Sequence, residues 1–213
     1  MKRTLVLTTY ILLIISSLQA QGTGTRKFTE SQKQAFEKQF IDKSRSISTL
    51  QSAFVQTKTS TMVSQSAVSK GNMYYRYPSM LIWEYTSPLK SSLIVDGRST
   101  RLLDENGNIV GNKNVSKQLG SLIINMINGN SIVDNKLFTT EIFEIANNQI
   151  LVVLTPQQRR LKDFYSTIKI KVDRNTLIAT EISMDEKSGD NTVVSFTNIQ
   201  LNKDIPTAKF KIK

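Results

Sequence analysis

The chain has 213 residues, with 28 lysines and arginines against 17 aspartates and glutamates, for a formal net charge of +11. It contains neither cysteine nor histidine, which excludes a disulfide scaffold, thiolate or imidazole metal ligation, a thiol nucleophile and the usual general base near neutral pH. No enzyme activity, cofactor or metal is therefore expected.

The lysines are scattered, so the basic balance does not point to nucleic acid. It reads as an ordinary solvated surface, or as attraction to anionic membrane faces and acidic partners.

Residues 1–20 are expected to be a signal peptide. Lys2 and Arg3 form a basic start, 5–18 is a mostly apolar run, and Leu18-Gln19-Ala20 offers a cleavage site before Gln21. The run is too short and too rich in serine and threonine to span a bilayer comfortably. An uncleaved N-terminal anchor helix is the alternative. Cleavage leaves 193 residues (213 less 20) with a net charge of +9, the size of one domain over 21–213. With no cysteine to carry a lipid anchor, the mature protein is expected to be soluble in its compartment.

Residues 21–27 read as a leader. Helix signals begin at Thr29 or Ser31, each followed three residues later by glutamine. Phe36, Phe40 and Ile41 give a helix over about 30–44 one apolar face. Its other face carries Glu30, Lys33, Glu37 and Lys38.

Residues 50–57 (LQSAFVQT) read as a strand with Leu50, Ser52, Phe54 and Gln56 on one side. Residues 58–69, rich in serine and threonine, are either a long connection or the ends of two strands.

The richest stretch is 71–97, GNMYYRYPSMLIWEYTSPLKSSLIVDG. Met73, Tyr75 and Tyr77 share one parity before Pro78, and Leu81, Trp83 and Tyr85 share one after it, so each trio lines one face of a sheet. Asp96-Gly97 marks a turn before a strand over 100–103, and 104–114 is a loop or ragged hairpin.

Val115, Leu119, Leu122, Ile123, Met126 and Ile127 follow helical spacing. Asn114 or Ser116 would cap that helix, and Asn128-Gly129 would stop it. From Phe138 onward strand follows strand: 141–146 and 149–155 about Asn147-Asn148, then 167–172, 177–184 and 192–201. Residues 157–164 form a short helical turn or loop.

About ten strands joined by hairpins make a mainly β fold, a single antiparallel sheet with two or three helices over one face. A twisted sheet of that size curls. Its aromatic face is then concave, and holds either an ordinary packed core, which periodicity alone favours, or a cavity. Asp104-Glu105 and Asp185-Glu186 read as solvated turn residues rather than paired glycosidase carboxylates. Arg159-Arg160 reads as an exposed loop rather than a headgroup clamp.

In order, these segments resemble a known family, the periplasmic outer-membrane lipoprotein carriers of the LolA type. The likeness is carried by Leu50 with the strand after it, Gly71 through to Pro78, Trp83-Glu84-Tyr85 with Pro88, Leu93-Ile94-Val95-Asp96-Gly97, the segment from Leu122 to Gly129, and Phe196 with the residues after it to Asn202.

The resemblance implies an unclosed β-barrel with a helical lid over a hydrophobic cavity for the acyl chains of a lipoprotein. It places Phe54, Met73, Tyr75, Tyr77, Leu81, Trp83, Tyr85 and Val95 on the cavity wall, with Phe36, Phe40, Leu119, Ile123 and Met126 on the lid. The family's gating arginine directly precedes the proline. Here that place is Tyr77, and Arg76 points to the opposite face by strand parity; a tyrosine could still hydrogen-bond a lid carbonyl, without the charge.

The implied function is a monomeric periplasmic carrier. It takes acylated lipoproteins from an inner-membrane lipoprotein-releasing transporter to an outer-membrane acceptor. A lipid- or lipoprotein-sensing domain of a periplasmic signalling or envelope-assembly complex is the alternative.

Overall fold

A computed structural model describes residues 24–97, 99–111, 113–130 and 136–210; the side chains of 114, 115, 118, 119, 122 and 160 are not described. The expected signal peptide and its cleavage site lie outside the described residues. The elements, in order, are β1 (Arg26–Lys27), α1 (Glu30–Arg45), β2 (Thr49–Thr59), β3 (Ala67–Arg76), β4 (Met80–Ser87), β5 (Ser91–Asp96), β6 (Thr100–Leu103) and β7 (Ile109–Val110). They continue with α2 (Lys113–Ile127), β8 (Phe138–Ile145), β9 (Gln149–Pro156), α3 (Arg159–Lys162), β10 (Tyr165–Asp173), β11 (Ala179–Glu186) and β12 (Asn191–Leu201), and end in a 3-10 turn over Thr207–Phe210.

The strands form one antiparallel sheet of twelve in the order β1-β8-β9-β10-β11-β12-β2-β3-β4-β5-β6-β7. Two meanders are joined where β12 pairs with β2, with Phe196 opposite Phe54. The sheet does not close on itself, since its edges are β1 and β7, each of two residues. Edges that short offer little template for a foreign strand. The fold is thus the expected unclosed sheet. The two additional strands are these short edges, which carry too few residues for any alternation to register.

Local chemistry explains the boundaries. Thr29 caps α1: its hydroxyl accepts from the Gln32 amide at 3.3 Å, and Gln32 Oε1 accepts from the Thr29 amide at 2.9 Å. Asn147 and Asn148 both take left-handed φ (61° and 56°), which suits the tight β8–β9 hairpin. Asn114 and Ser116, expected as caps of α2, instead lie inside it, because the helix starts at Lys113. Its stop is as expected, with Gly129 at φ 75°.

Both sheet faces are covered in places. On the concave face, α1 lays Phe36 and Phe40 on Phe138, Ile142, Val152 and Ile170 of β8 to β10. The α2 helix approaches β5 and β6 at Gly120, where an added Cβ would lie 2.8 Å from Val95 Cγ2 and 3.1 Å from Thr100 Cγ2. On the other face Ile82 is buried with Ile205 and Phe210, so β4 is apolar on both sides through Leu81, Ile82 and Trp83. Arg76 faces this outer side, as its parity requires. It donates to the Ile205 carbonyl, lies 3.7 Å from Asp204, and stands 6.0 Å from the Phe210 ring.

Candidate functional site: an apolar cavity between sheet and helices

Strand alternation turns one face of β2 to β6 and β10 to β12 inward, while α1 and α2 cross above it. Between them lies a cavity of about 180 Å³. Its sheet side includes Met73, Trp83, Tyr85, Leu93, Ile182, Met184 and Phe196; its helix side includes Phe40, Ile123, Met126 and Ile127.

Residues of the lining with polar side-chain atoms are Ser44, Ser52, Gln56, Trp83 and Tyr85. The Tyr85 hydroxyl donates to Gln56 Oε1 at 2.9 Å, and burial raises its pKa above the usual tyrosine range. Ser52 Oγ, buried in the same wall, has no hydrogen-bond partner among the described residues. The wall can therefore hold a hydrocarbon by burial and offers few groups to a polar ligand.

The eight residues expected on the wall take four different places. Met73, Trp83 and Tyr85 line the cavity. Phe54, Leu81 and Val95 are buried behind its lining. The Phe54 ring stacks 4.6 Å from Trp83 and meets Tyr85 edge-on at 5.4 Å, with Trp83 in turn edge-on to Phe196 at 5.9 Å. That cluster needs Gly71 opposite Phe54, since an added Cβ there would lie 2.5 Å from the Phe54 ring and 2.0 Å from the Glu84 carbonyl.

Tyr77 is 55% exposed and does not line the cavity. Its parity argument fails because β3 ends at Arg76, so alternation stops one residue short of it. Tyr75 holds the position next to the lid instead. It is 1% exposed, and its hydroxyl donates to Asn128 Oδ1 at 2.5 Å, just beyond the end of α2. The Asn128 side-chain Nδ2 donates to the Pro78 carbonyl at 3.3 Å. Burial above all pushes the Tyr75 pKa up to about 12, so the phenol keeps its proton through the neutral range.

Of the expected lid residues, Phe40, Ile123 and Met126 line the cavity, while Phe36 packs on the β8–β10 side of the core. The Leu119 side chain lies outside those described. Several lining residues were not expected from sequence: Ile182 and Met184 on β11, Leu177 and Ile178 before it, and Phe196 on β12. For the β11 pair the signal was present, since Ile182 and Met184 share a parity and pair with Ile170 and Ile168. Leu177 had none, because its left-handed φ of 55° is set by the Asp173 turn beside it.

A family model described as Outer membrane lipoprotein carrier protein LolA matches residues 45–213. An outer-membrane lipoprotein carrier protein of Francisella tularensis subsp. tularensis is 28% identical over 179 residues, covering 82% of this chain and 82% of the relative. One of Chromobacterium violaceum is 24% identical over 162 residues, covering 76% and 75%. Among solved structures, the Mycobacterium tuberculosis lipoprotein LppX is similar at a TM-score of 0.49 and 10% identity, covering 84% of this chain and all of that one. The family match spans well over half of the sequence, from the end of α1 onward, and the chain belongs to the LolA family of outer membrane lipoprotein carrier proteins.

Proposed function

We propose that this protein is a periplasmic carrier that holds the acyl chains of lipoproteins in the cavity and shuttles them from the inner to the outer membrane. The observation that supports this most is the apolar space left between sheet and helices, where a packed core would have none. In this reading Met73, Trp83 and Tyr85 contact the chain from the sheet, and Phe40, Ile123 and Met126 contact it from the lid. Phe54, Leu81 and Val95 back the wall. Leu119 joins the lid face by its spacing from Ile123 and Met126.

The size of the space sets the mechanism. An apolar cavity of roughly 150 Å³ holds one benzene, so about 180 Å³ holds only a short part of one acyl chain. Each further methylene gains about 0.8 kcal/mol only if it too leaves water. Loading therefore requires α1 and α2 to move off the sheet, which breaks the Tyr75–Asn128 tie. The cargo holds that open state by its higher affinity for it. No residue does chemistry. An inner-membrane lipoprotein-releasing transporter supplies the cargo and an outer-membrane acceptor takes it, with the carrier acting as a monomer.

The test is incubation of the purified protein with lipoprotein-loaded spheroplasts. A soluble lipoprotein–protein complex is expected in the supernatant, with acylated species in its mass spectrum; their absence would sink the carrier reading.

A further inference from the structure

Nine large apolar side chains are exposed among the described residues, and all but Val55 and Tyr77 lie toward one end of the sheet. The register fixes that end. Thr59 pairs with Asn191, Lys70 with Ser87, Tyr165 with Glu186 and Leu103 with Ile109, so the β2–β3, β4–β5, β6–β7, β9–β10 and β11–β12 turns all emerge together. Three of them are tied side by side. The Thr61 amide donates to Asp190 Oδ1 at 3.0 Å, and the Lys187 amide donates to the Phe164 carbonyl at 2.8 Å.

On the β2–β3, β4–β5 and β9–β10 turns Met62 is 91% exposed, Leu89 73% and Phe164 63%. Such exposure contributes nothing to folding, and its concentration at one end calls for a partner.

The surroundings favour one kind of partner. Met62, Leu89 and Phe164, the most exposed of the apolar side chains on turns, stand on three different turns rather than along one helix or strand that a partner segment would follow. The same β4–β5, β9–β10 and β11–β12 connections carry the exposed Lys90, Arg159, Lys162 and Lys187. The β2–β3 and β4–β5 turns carry no carboxylate. Of the acids nearby, Asp190 is held by Ser60, Thr61 and Lys58, Glu186 pairs with Lys58 at 3.1 Å, Asp163 sits in the β9–β10 turn, and Asp104 and Glu105 lie at the far edge. Exposed apolar tips beside ammonium and guanidinium groups are what an anionic bilayer surface accepts.

Gln56, Tyr85 and Met184 of the cavity lining stand on the halves of β2, β4 and β11 that lead into these turns.

We infer that this rim of turns docks the protein reversibly on an anionic lipid bilayer. The inference rests on the carrier reading for its purpose, though not for its test. Purified protein is mixed with vesicles of phosphatidylethanolamine and phosphatidylglycerol, or of phosphatidylcholine alone, and floated on a density gradient. Wild type is expected to float with the anionic vesicles, less with the neutral ones, and less again as salt rises from about 0.05 to 0.5 M. The doubly substituted Met62→Asp, Leu89→Asp protein is expected to bind anionic vesicles about tenfold more weakly.

Both substituted positions are exposed, so circular dichroism and the uptake of a fluorescent fatty acid in solution should be unchanged. That uptake reports the cavity separately from the rim. Wild type that ignores anionic vesicles, or vesicle binding that the double substitution leaves intact, overturns the inference. Self-association of wild type in sedimentation, without vesicle binding, would assign the rim to a second copy of the chain.

Discussion

Tyr75 sits where sheet and lid meet, and its hydroxyl is both buried and bonded to a residue at the end of α2. Tyr75→Phe keeps the ring and removes the tie. A stability loss of about 1 kcal/mol is expected in urea unfolding, together with faster exchange of a fluorescent fatty acid, since the lid then opens more readily.

The same hydroxyl gives a pH dependence of known sign. Below pH 10 the folded and unfolded chains both hold the phenol proton, and stability is unaffected by it. Between about 10 and 12 the unfolded chain releases that proton while the folded chain retains it. Rising pH therefore favours unfolding in that window, through this group. Tyr75→Phe should lose that part of the alkaline destabilisation, seen by comparing unfolding midpoints of the two proteins at pH 8 and pH 11.

Ser52 makes the opposite case, because its hydroxyl is buried against the cavity with no partner among the described residues. Such a group costs stability unless a ligand, a water or a neighbour satisfies it. Ser52→Leu removes it and fills part of the space. The variant is expected to be more stable by up to about 1 kcal/mol while taking up less of the fatty acid probe, as read by thermal unfolding and fluorescence titration. A variant that is stabilised yet binds normally would show that the ligand does not use this space.

Among the elements, β3 and β4 were the most legible. Their alternation reads off Met73, Tyr75, Leu81 and Trp83 as inward residues, and all four are buried. What alternation does not supply is the end of β3, so parity alone extends the inward face to Tyr77, one residue past the strand. It also left open what lies on the outer side of Ile82, because the segment that covers it, with Ile205 and Phe210, is far away in sequence.

The α2 helix was legible from its spacing. Its closeness to the sheet depends on Gly120, where Val95 and Thr100 leave no room for a side chain. Gly120→Val should hold that helix off β5 and β6, lower stability by about 1–3 kcal/mol, and speed probe uptake in stopped-flow mixing. Uptake at the wild-type rate would mean that α2 does not gate the cavity.

For the molecule as a whole, the proposed carriage requires a sheet that stays fixed while two helices move. The absence of native cysteine makes that movement testable with an engineered pair. A Cβ added at Gly129 would lie 3.2 Å from Ser44 Oγ, close enough for a disulfide between α1 and the end of α2. The left-handed φ of 75° at Gly129 opposes the substitution by about 1 kcal/mol, so the folded yield should fall somewhat. The oxidised Ser44→Cys, Gly129→Cys protein is expected to take up little probe and to recover uptake on reduction. Equal uptake in both states would show that these two helices need not part.

The sequence by itself determined the local events: the Thr29 cap, the asparagine pair between β8 and β9, the glycine stop of α2, the alternation that sorts each strand into two faces, and the exclusion of thiol and imidazole chemistry. These depend on neighbours a few residues apart, whose geometry the backbone fixes. Only the tertiary structure decided whether the concave face is a packed core or a cavity, because a vacancy is a difference between the volume the sheet and helices enclose and the volume their side chains fill. It decided likewise that Tyr75 rather than Tyr77 meets the lid, that Ile182 and Met184 join the same wall, and that apolar tips from separate hairpins gather at one end. Each of these depends on strands distant in sequence being set in register, and one-dimensional periodicity does not encode that register.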